Sequence, residues 1–235
     1  STPSRRSLLV QAPSSLGVWM LVFYILLLVS GPCALIFPRK ICRGDLATDK
    51  FVRSTGAAIC GLGWAVASHI FILAAELDAS PEEDSVIALS CFALHALAQG
   101  GIGLQSLADP GSQQGTKFVV RIVKRSSLTD FTVRVFGVAS IAVSGLSLLA
   151  MRGAPEGRWL GPQSRECLQG VLVYHSLAAM HNGYSKSCGL FQTHAKTLNH
   201  GALAALALLG VVIAPSPATL ATLWTNCVWA EVPRR

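Results

Sequence analysis

The sequence predicts an all-α protein, a polytopic transmembrane helical bundle of about six spans, forming a single integral membrane domain over residues 1–235. Three observations predict it. Mean hydropathy is +0.51; 51% of residues are apolar and 13% charged, where a soluble domain has roughly a quarter charged. Mostly apolar runs lie near residues 16–37, 56–75, 86–107, 134–151, 167–183 and 199–222, each close to the roughly 20 helical residues that cross about 30 Å of hydrocarbon. Runs such as Leu21 to Val29 do not alternate. A transmembrane barrel needs segments of about ten alternating residues, so strands are not expected.

Ahead of the first run stand Ser1, Arg5 and Arg6, and no acidic residue precedes Asp45. A basic, Ser-rich, acid-free start has the character of an organelle-import leader; a start that merely lacks its methionine is the other reading. The second run is entered through Asp49, Arg53 and Gly56, and the fourth through Asp130, Arg134 and Gly137. An acid and an arginine four residues apart share a helix face and are expected to pair, with the arginine reaching toward the interface. An anion site at the two helix starts is the sharper reading of the same residues.

Between the third and fourth runs, Lys117, Arg121, Lys124 and Arg125 are spaced with Phe118, Val119, Val120, Ile122 and Val123 between them. This predicts a short basic amphipathic helix over 117–125. It should lie in the interface with its cations on anionic headgroups, or against an acidic surface of a partner subunit. The sixth run is interrupted by Pro215 and Pro217, which predict a kink or break, and Trp224 and Trp229 beyond it suit the headgroup boundary. Gly56, Gly63, Gly100, Gly101, Gly103, Gly137 and Gly145 are expected to let helices approach closely, as small residues do in lipid.

Successive loops alternate sides of a membrane. The loops at 38–54, 108–134 and 184–198 hold twelve of the 19 lysines and arginines. The acidic cluster Glu76, Asp78, Glu82, Glu83 and Asp84 lies on the other side. The positive-inside tendency then puts the first, third and fifth loops toward matrix, stroma or cytoplasm, with both termini opposite.

A self-match organises the chain. Asp49-x-x-Val52-Arg53-x-x-Gly56-x-Ala58 recurs as Asp130-x-x-Val133-Arg134-x-x-Gly137-x-Ala139, and His95-x-Leu97-Ala98 as His175-x-Leu177-Ala178, with Gly103 mapping onto Gly183. Residues 49–106 and 130–186 are therefore expected to be parallel repeat hairpins about an axis along the membrane normal. They would form a four-helix core with the first and sixth helices outside.

His69, His95, His175 and His181 fall within the apolar runs and His200 at the start of the last. Ionisable groups at membrane depth are costly and default to functional hypotheses. These five histidines are the candidate tetrapyrrole ligands, for chlorophyll or for one b-type haem. The repeat sets His95 and His175 at equal depth. Hydrogen bonding to a neighbouring helix is the plain alternative. A two-haem transmembrane carrier would need four placed histidines on four consecutive helices, and the fourth run has none.

The seven cysteines, Cys33, Cys42, Cys60, Cys91, Cys167, Cys188 and Cys227, form no C-x-x-C pair. Zinc and iron–sulfur sites are thereby disfavoured, and buried thiols acting as small hydrophobes are expected, with a disulfide at Cys42 or Cys188 left open. No nucleophile elbow and no glycine-rich phosphate loop is present. Membrane-flanking cations account for the basic pI, so nucleic acid is not implied.

The expectation is a non-catalytic accessory integral-membrane subunit of a large organellar complex, in contact with its other membrane subunits, anionic lipids and structural lipids. A thylakoid photosystem is favoured over the mitochondrial inner membrane because membrane histidines suit chlorophyll magnesium. A respiratory-chain or ATP synthase accessory subunit and a mono-haem b-type redox protein are the alternatives.

Overall fold

A computed structural model describes residues 15–74, 85–114, 126–191 and 193–213. They form eight helices: α1 (Ser15–Ile36), α2 (Pro38–Ile41), α3 (Leu46–Ala74), α4 (Val86–Ala108), α5 (Pro110–Gln114), α6 (Ser127–Met151), α7 (Ser164–Ser187) and α8 (Ala195–Ile213). No strand occurs among the described residues. Three helices are long and apolar enough to cross a membrane: α4, α6 and the Ala195–Val212 stretch of α8. In α1 the apolar stretch Tyr24–Ile36 is shorter. Helices α3 and α7 have the length, 29 and 24 residues, but carry more polar side chains, of which Thr48, Ser54, His175, His181 and Asn182 turn inward. The six-span expectation is thus met for three helices. The basic segment 117–125, the acidic cluster 76–84 and the break at Pro215 and Pro217 lie outside the described residues.

Local chemistry sets the helix ends. Asp45 Oδ1 accepts from the Thr48 amide at 2.8 Å. Ser85 and Ser126 cap α4 and α6, accepting from Ala88 N at 3.3 Å and Thr129 N at 3.1 Å. Each occupies one of the orphan donors of a first turn. At the other ends, the Arg53 guanidinium donates to the Leu35 carbonyl at the end of α1. Arg134 does the same to Leu107 O at the end of α4, at 2.6 Å. A helix C-terminus leaves carbonyls unpaired and carries the negative end of the dipole, so it attracts a cation. The expected Asp49–Arg53 pair is therefore absent. Arg53 goes to α1, and Asp49 Oδ2 receives Arg39 Nε at 2.9 Å.

Helix α3 packs on α1, α6 and α7, α4 packs on α6 and α8, and α7 also takes α8. Small side chains dominate the core where α3 meets its neighbours: Ala57, Ala58 and Ala65 stand against Val143, Leu146, Val171 and Ala178 in one cluster. A second cluster joins Phe51, Val133 and Phe136. Backbones meet at three glycine pairs. A Cβ on Gly56 would stand 2.8 Å from Gly31 O, one on Gly103 2.9 Å from Gly137 O, and one on Gly170 2.7 Å from Gly61 O. Of the glycines expected to allow such approach, Gly56, Gly103 and Gly137 do so, whereas Gly101 and Gly145 face open space. Composition marked the glycines; only the crossing points choose among them.

Candidate functional site

Three histidines from three helices meet in the interior. His95 on α4 and His175 on α7 are both fully buried. His95 Nε2 lies 2.9 Å from Val143 O on α6, His95 Nδ1 lies 2.9 Å from His175 Nε2, and His175 Nδ1 lies 2.8 Å from His200 Nδ1 on α8. A carbonyl only accepts, so His95 Nε2 carries its proton. With neutral rings the remaining positions follow in turn. His95 Nδ1 accepts from His175 Nε2–H, and His175 Nδ1 accepts from His200 Nδ1–H. The lone pair left over falls on His200 Nε2. Four helices are thereby tied by one directed chain of hydrogen bonds.

Tyr174, beside His175, donates its hydroxyl to Gln99 Oε1 at 2.6 Å and sets its ring 4.7 Å from that of His175. Gln99 is fully buried on α4, so this bond ties α7 to α4 a turn beyond His95. Tyr174→Phe would leave Gln99 Oε1 unpaired, at a cost of about 1–3 kcal/mol. Adding Gln99→Leu should recover part of that loss. Unfolding of the purified protein in detergent measures both, and equal losses in the single and double variants would show the bond to be without weight.

The other candidates are placed apart from this chain. His181 bonds through Nε2 to Ser54 Oγ on α3 at 3.2 Å, and its Nδ1 has no partner among the described residues. His69 stands at the outer surface of α3, its side chain 49% exposed, with Nδ1 3.3 Å from the buried Glu166 carboxylate. Lys117, Arg121, Lys124 and Arg125 lie outside the described residues. Among the described residues no three histidine, cysteine or acidic side chains are grouped to hold a metal ion. Cys33, Cys42, Cys60, Cys91, Cys167 and Cys188 are free thiols.

For a tetrapyrrole the histidines differ. Two imidazoles that share a metal hold their ligating nitrogens about 4 Å apart, twice a metal–nitrogen bond of about 2.0 Å. His95 and His175 stand at 2.9 Å, with a proton between them, and their other nitrogens are engaged. They do not fit a shared metal. His69 does fit a single axial ligand: its side chain is half-exposed and a carboxylate holds its Nδ1, the usual outer-shell arrangement of metal-bound histidine. Sequence reading overlooked Glu166, Gln99 and Tyr174, because nothing in their spacing distinguishes them from polar residues at a helix end or an interface.

A groove of about 590 Å³ runs along α1, α3 and α7. Leu27, Leu28, Leu35, Trp64 and Leu177 line its length, and Arg53 and Tyr184 stand at one end. No protein-family model, no curated protein and no solved structure matches this chain.

Proposed function

We propose that the chain is a non-catalytic accessory membrane subunit of a large organellar complex, which packs against the other membrane subunits and carries lipid on its flank. The observation that carries this reading is a reversal of polarity. Histidine, glutamine, tyrosine and serine side chains pair with one another inside, while large apolar side chains such as Leu97, Leu104, Phe131, Leu148 and Met180 face outward. In water that arrangement would be costly. In lipid it is favourable, because outward apolar groups lose nothing and inward polar groups hydrogen-bond from helix to helix. The apolar groove with Arg53 at its end has the shape and chemistry for an acyl chain below an anionic headgroup.

An enzyme reading finds less support. Ser54 and His181 stand at bonding distance, but a nucleophile–base pair is oriented by a third group, and His181 Nδ1 has none among the described residues. The six-span, two-repeat reading is supported by two contacts. Residues related by a two-fold axis touch one another only on that axis. Thr48 and Thr129, 81 apart in sequence, bring their Oγ1 atoms within 3.1 Å. His95 and His175, 80 apart, are hydrogen-bonded. The pairing of Arg53 with Leu35 and of Arg134 with Leu107 repeats at the same offset on the arginine side. In this reading the hairpins interlock, since α3 packs on α7 and α4 on α6.

The thylakoid version rests on His69 as a chlorophyll ligand; the mitochondrial inner-membrane version needs no pigment. Isolation of the chain from its native membrane in mild detergent tests both. It is expected to co-migrate with a large complex, and migration as a free small protein would end the accessory reading. Red absorption that disappears in His69→Leu while the protein still inserts would favour the thylakoid, and a colourless subunit the mitochondrion.

A further inference from the structure

We propose that the cavity enclosed by α3, α4, α7 and α8 is a binding site for one phosphate-type oxyanion. The cavity holds about 200 Å³ and is lined by Lys50, Lys196, His181, Asn182, Asn199 and His200 among its polar residues, with no aspartate or glutamate in the wall. Lys50 is only 7% exposed. Its Nζ makes no hydrogen bond or ion pair among the described residues, and rests instead on aromatic faces, 3.9 Å from the centroid of Phe51 and 5.9 Å from that of Phe191. Lys196 Nζ lies 5.2 Å from the same Phe191 ring. Two ammonium groups thus share one ring, and neither makes an ion pair among the described residues. Buried like charges repel, and a buried cation is ordinarily paired.

Other groups at this cavity also lack partners. Among the described residues His181 Nδ1 and Asn182 Oδ1 are buried polar atoms with no hydrogen-bond partner, and both residues are more than nine-tenths buried. When Ser54 donates to His181 Nε2, Nδ1 carries the proton and becomes a free donor. From a bound oxyanion, Asn182 Oδ1 can accept only through a protonated oxygen, which a monoprotonated phosphate or phosphomonoester supplies and which chloride or sulfate at neutral pH does not. Lys196 also stands in the opening turn of α8, where the helix dipole adds positive potential. The site lies where Lys50 of the first loop and Lys196 of the fifth come together at one end of the bundle. An anion there supplies the acceptors that six lysine N–H donors lack.

The anion can be free phosphate or the headgroup of a phosphatidic-acid-type lipid. The full chain, delipidated in a neutral detergent, should bind labelled inorganic phosphate saturably at one site per chain. Lys50→Gln or Lys196→Gln should weaken that binding about tenfold or more, since a charge-assisted bond is worth about 1.5–3 kcal/mol; Lys50→Arg should retain it. In nanodiscs of phosphatidylcholine with and without phosphatidic acid, native mass spectrometry reports the lipid source. Retained phosphatidic acid that phosphate displaces, and that the same variants lose, identifies the headgroup; phosphate binding without lipid retention identifies the free ion. The more exposed Lys196 keeps the test valid if Lys50→Gln does not fold, which helical circular dichroism reports. Failure of both probes to bind, binding indifferent to both lysines, or equal competition by chloride and sulfate would each overturn the site. None of these outcomes depends on the accessory-subunit reading.

Discussion

Gly170→Leu is expected to abolish the folded bundle, whereas Gly145→Ala should leave it unchanged. At the α3–α7 crossing the two backbones are in contact. A Cβ on Gly170 would stand 2.7 Å from Gly61 O, 2.8 Å from Ala65 Cβ and 3.0 Å from Leu146 Cδ1, and one on Gly61 would stand 2.8 Å from Gly170 O. The nearest obstacle in each direction is a carbonyl within a hydrogen-bonded helix, so no side-chain rotation relieves the clash. The helices must separate, and the short Cα–H to carbonyl contacts between them are lost as well. Overpacking of this kind typically costs about 1–3 kcal/mol for small additions, and a leucine also drives apart the core that Ala65, Leu146 and Val171 share. Gly145 meets nothing within 4 Å, so its alanine variant is the matched control. Thermal unfolding in detergent, followed by circular dichroism and size-exclusion profile, reads both. A Gly170→Leu protein that unfolds with the wild type would show that the crossing is not a close one.

His175→Leu is expected to cost about 1–4 kcal/mol, because two interhelical bonds of about 0.6–2 kcal/mol each are lost. His200→Leu removes one of the two and should cost less. His175 is the middle link: both its nitrogens are engaged, one by His95 on α4 and one by His200 on α8, so its removal strands a donor and an acceptor together. Reversible unfolding in mixed micelles gives the two values, and equal losses would mean that the chain is not directed through His175. A second readout does not depend on stability. Nitrogen chemical shifts of the imidazoles should report Nε2–H tautomers at His95 and His175 and an Nδ1–H tautomer at His200. Any other pattern breaks the sequence of donors that begins at the Val143 carbonyl.

The helical class was legible because its signal is additive. Every apolar residue in a run contributes to it: the run at 86–107 recurs as α4 to within a residue, and the run at 134–151 ends with α6, which begins seven residues earlier, at Ser127. Pairings were not legible, and Asp49 shows why. The i,i+4 rule proposed Arg53 as its partner, but the carbonyl end of α1 claimed that arginine and Arg39 took the carboxylate. The competition is between groups ten and eighteen residues away in the chain, and no periodicity encodes it. Lys50 was legible only as one more basic residue near a helix start. That it is buried and lines the same cavity as Lys196 is a property of several helices at once.

The sequence by itself determined that the chain is helical, that long apolar segments dominate it, and that histidines lie inside those segments. Each of these is a sum over neighbours along the chain, governed by transfer free energy and backbone hydrogen bonding that act locally. Only the tertiary structure decided which histidines meet, which glycines touch, and where buried charge is left without a partner. His95 and His175 share a hydrogen bond, Gly170 meets Gly61 while Gly145 meets nothing within 4 Å, and Lys50 lines a cavity. Distances of this kind are set to within an ångström by the packing of several helices. The free energies that depend on them, hydrogen bonding, overpacking and the solvation of charge, change over that same ångström.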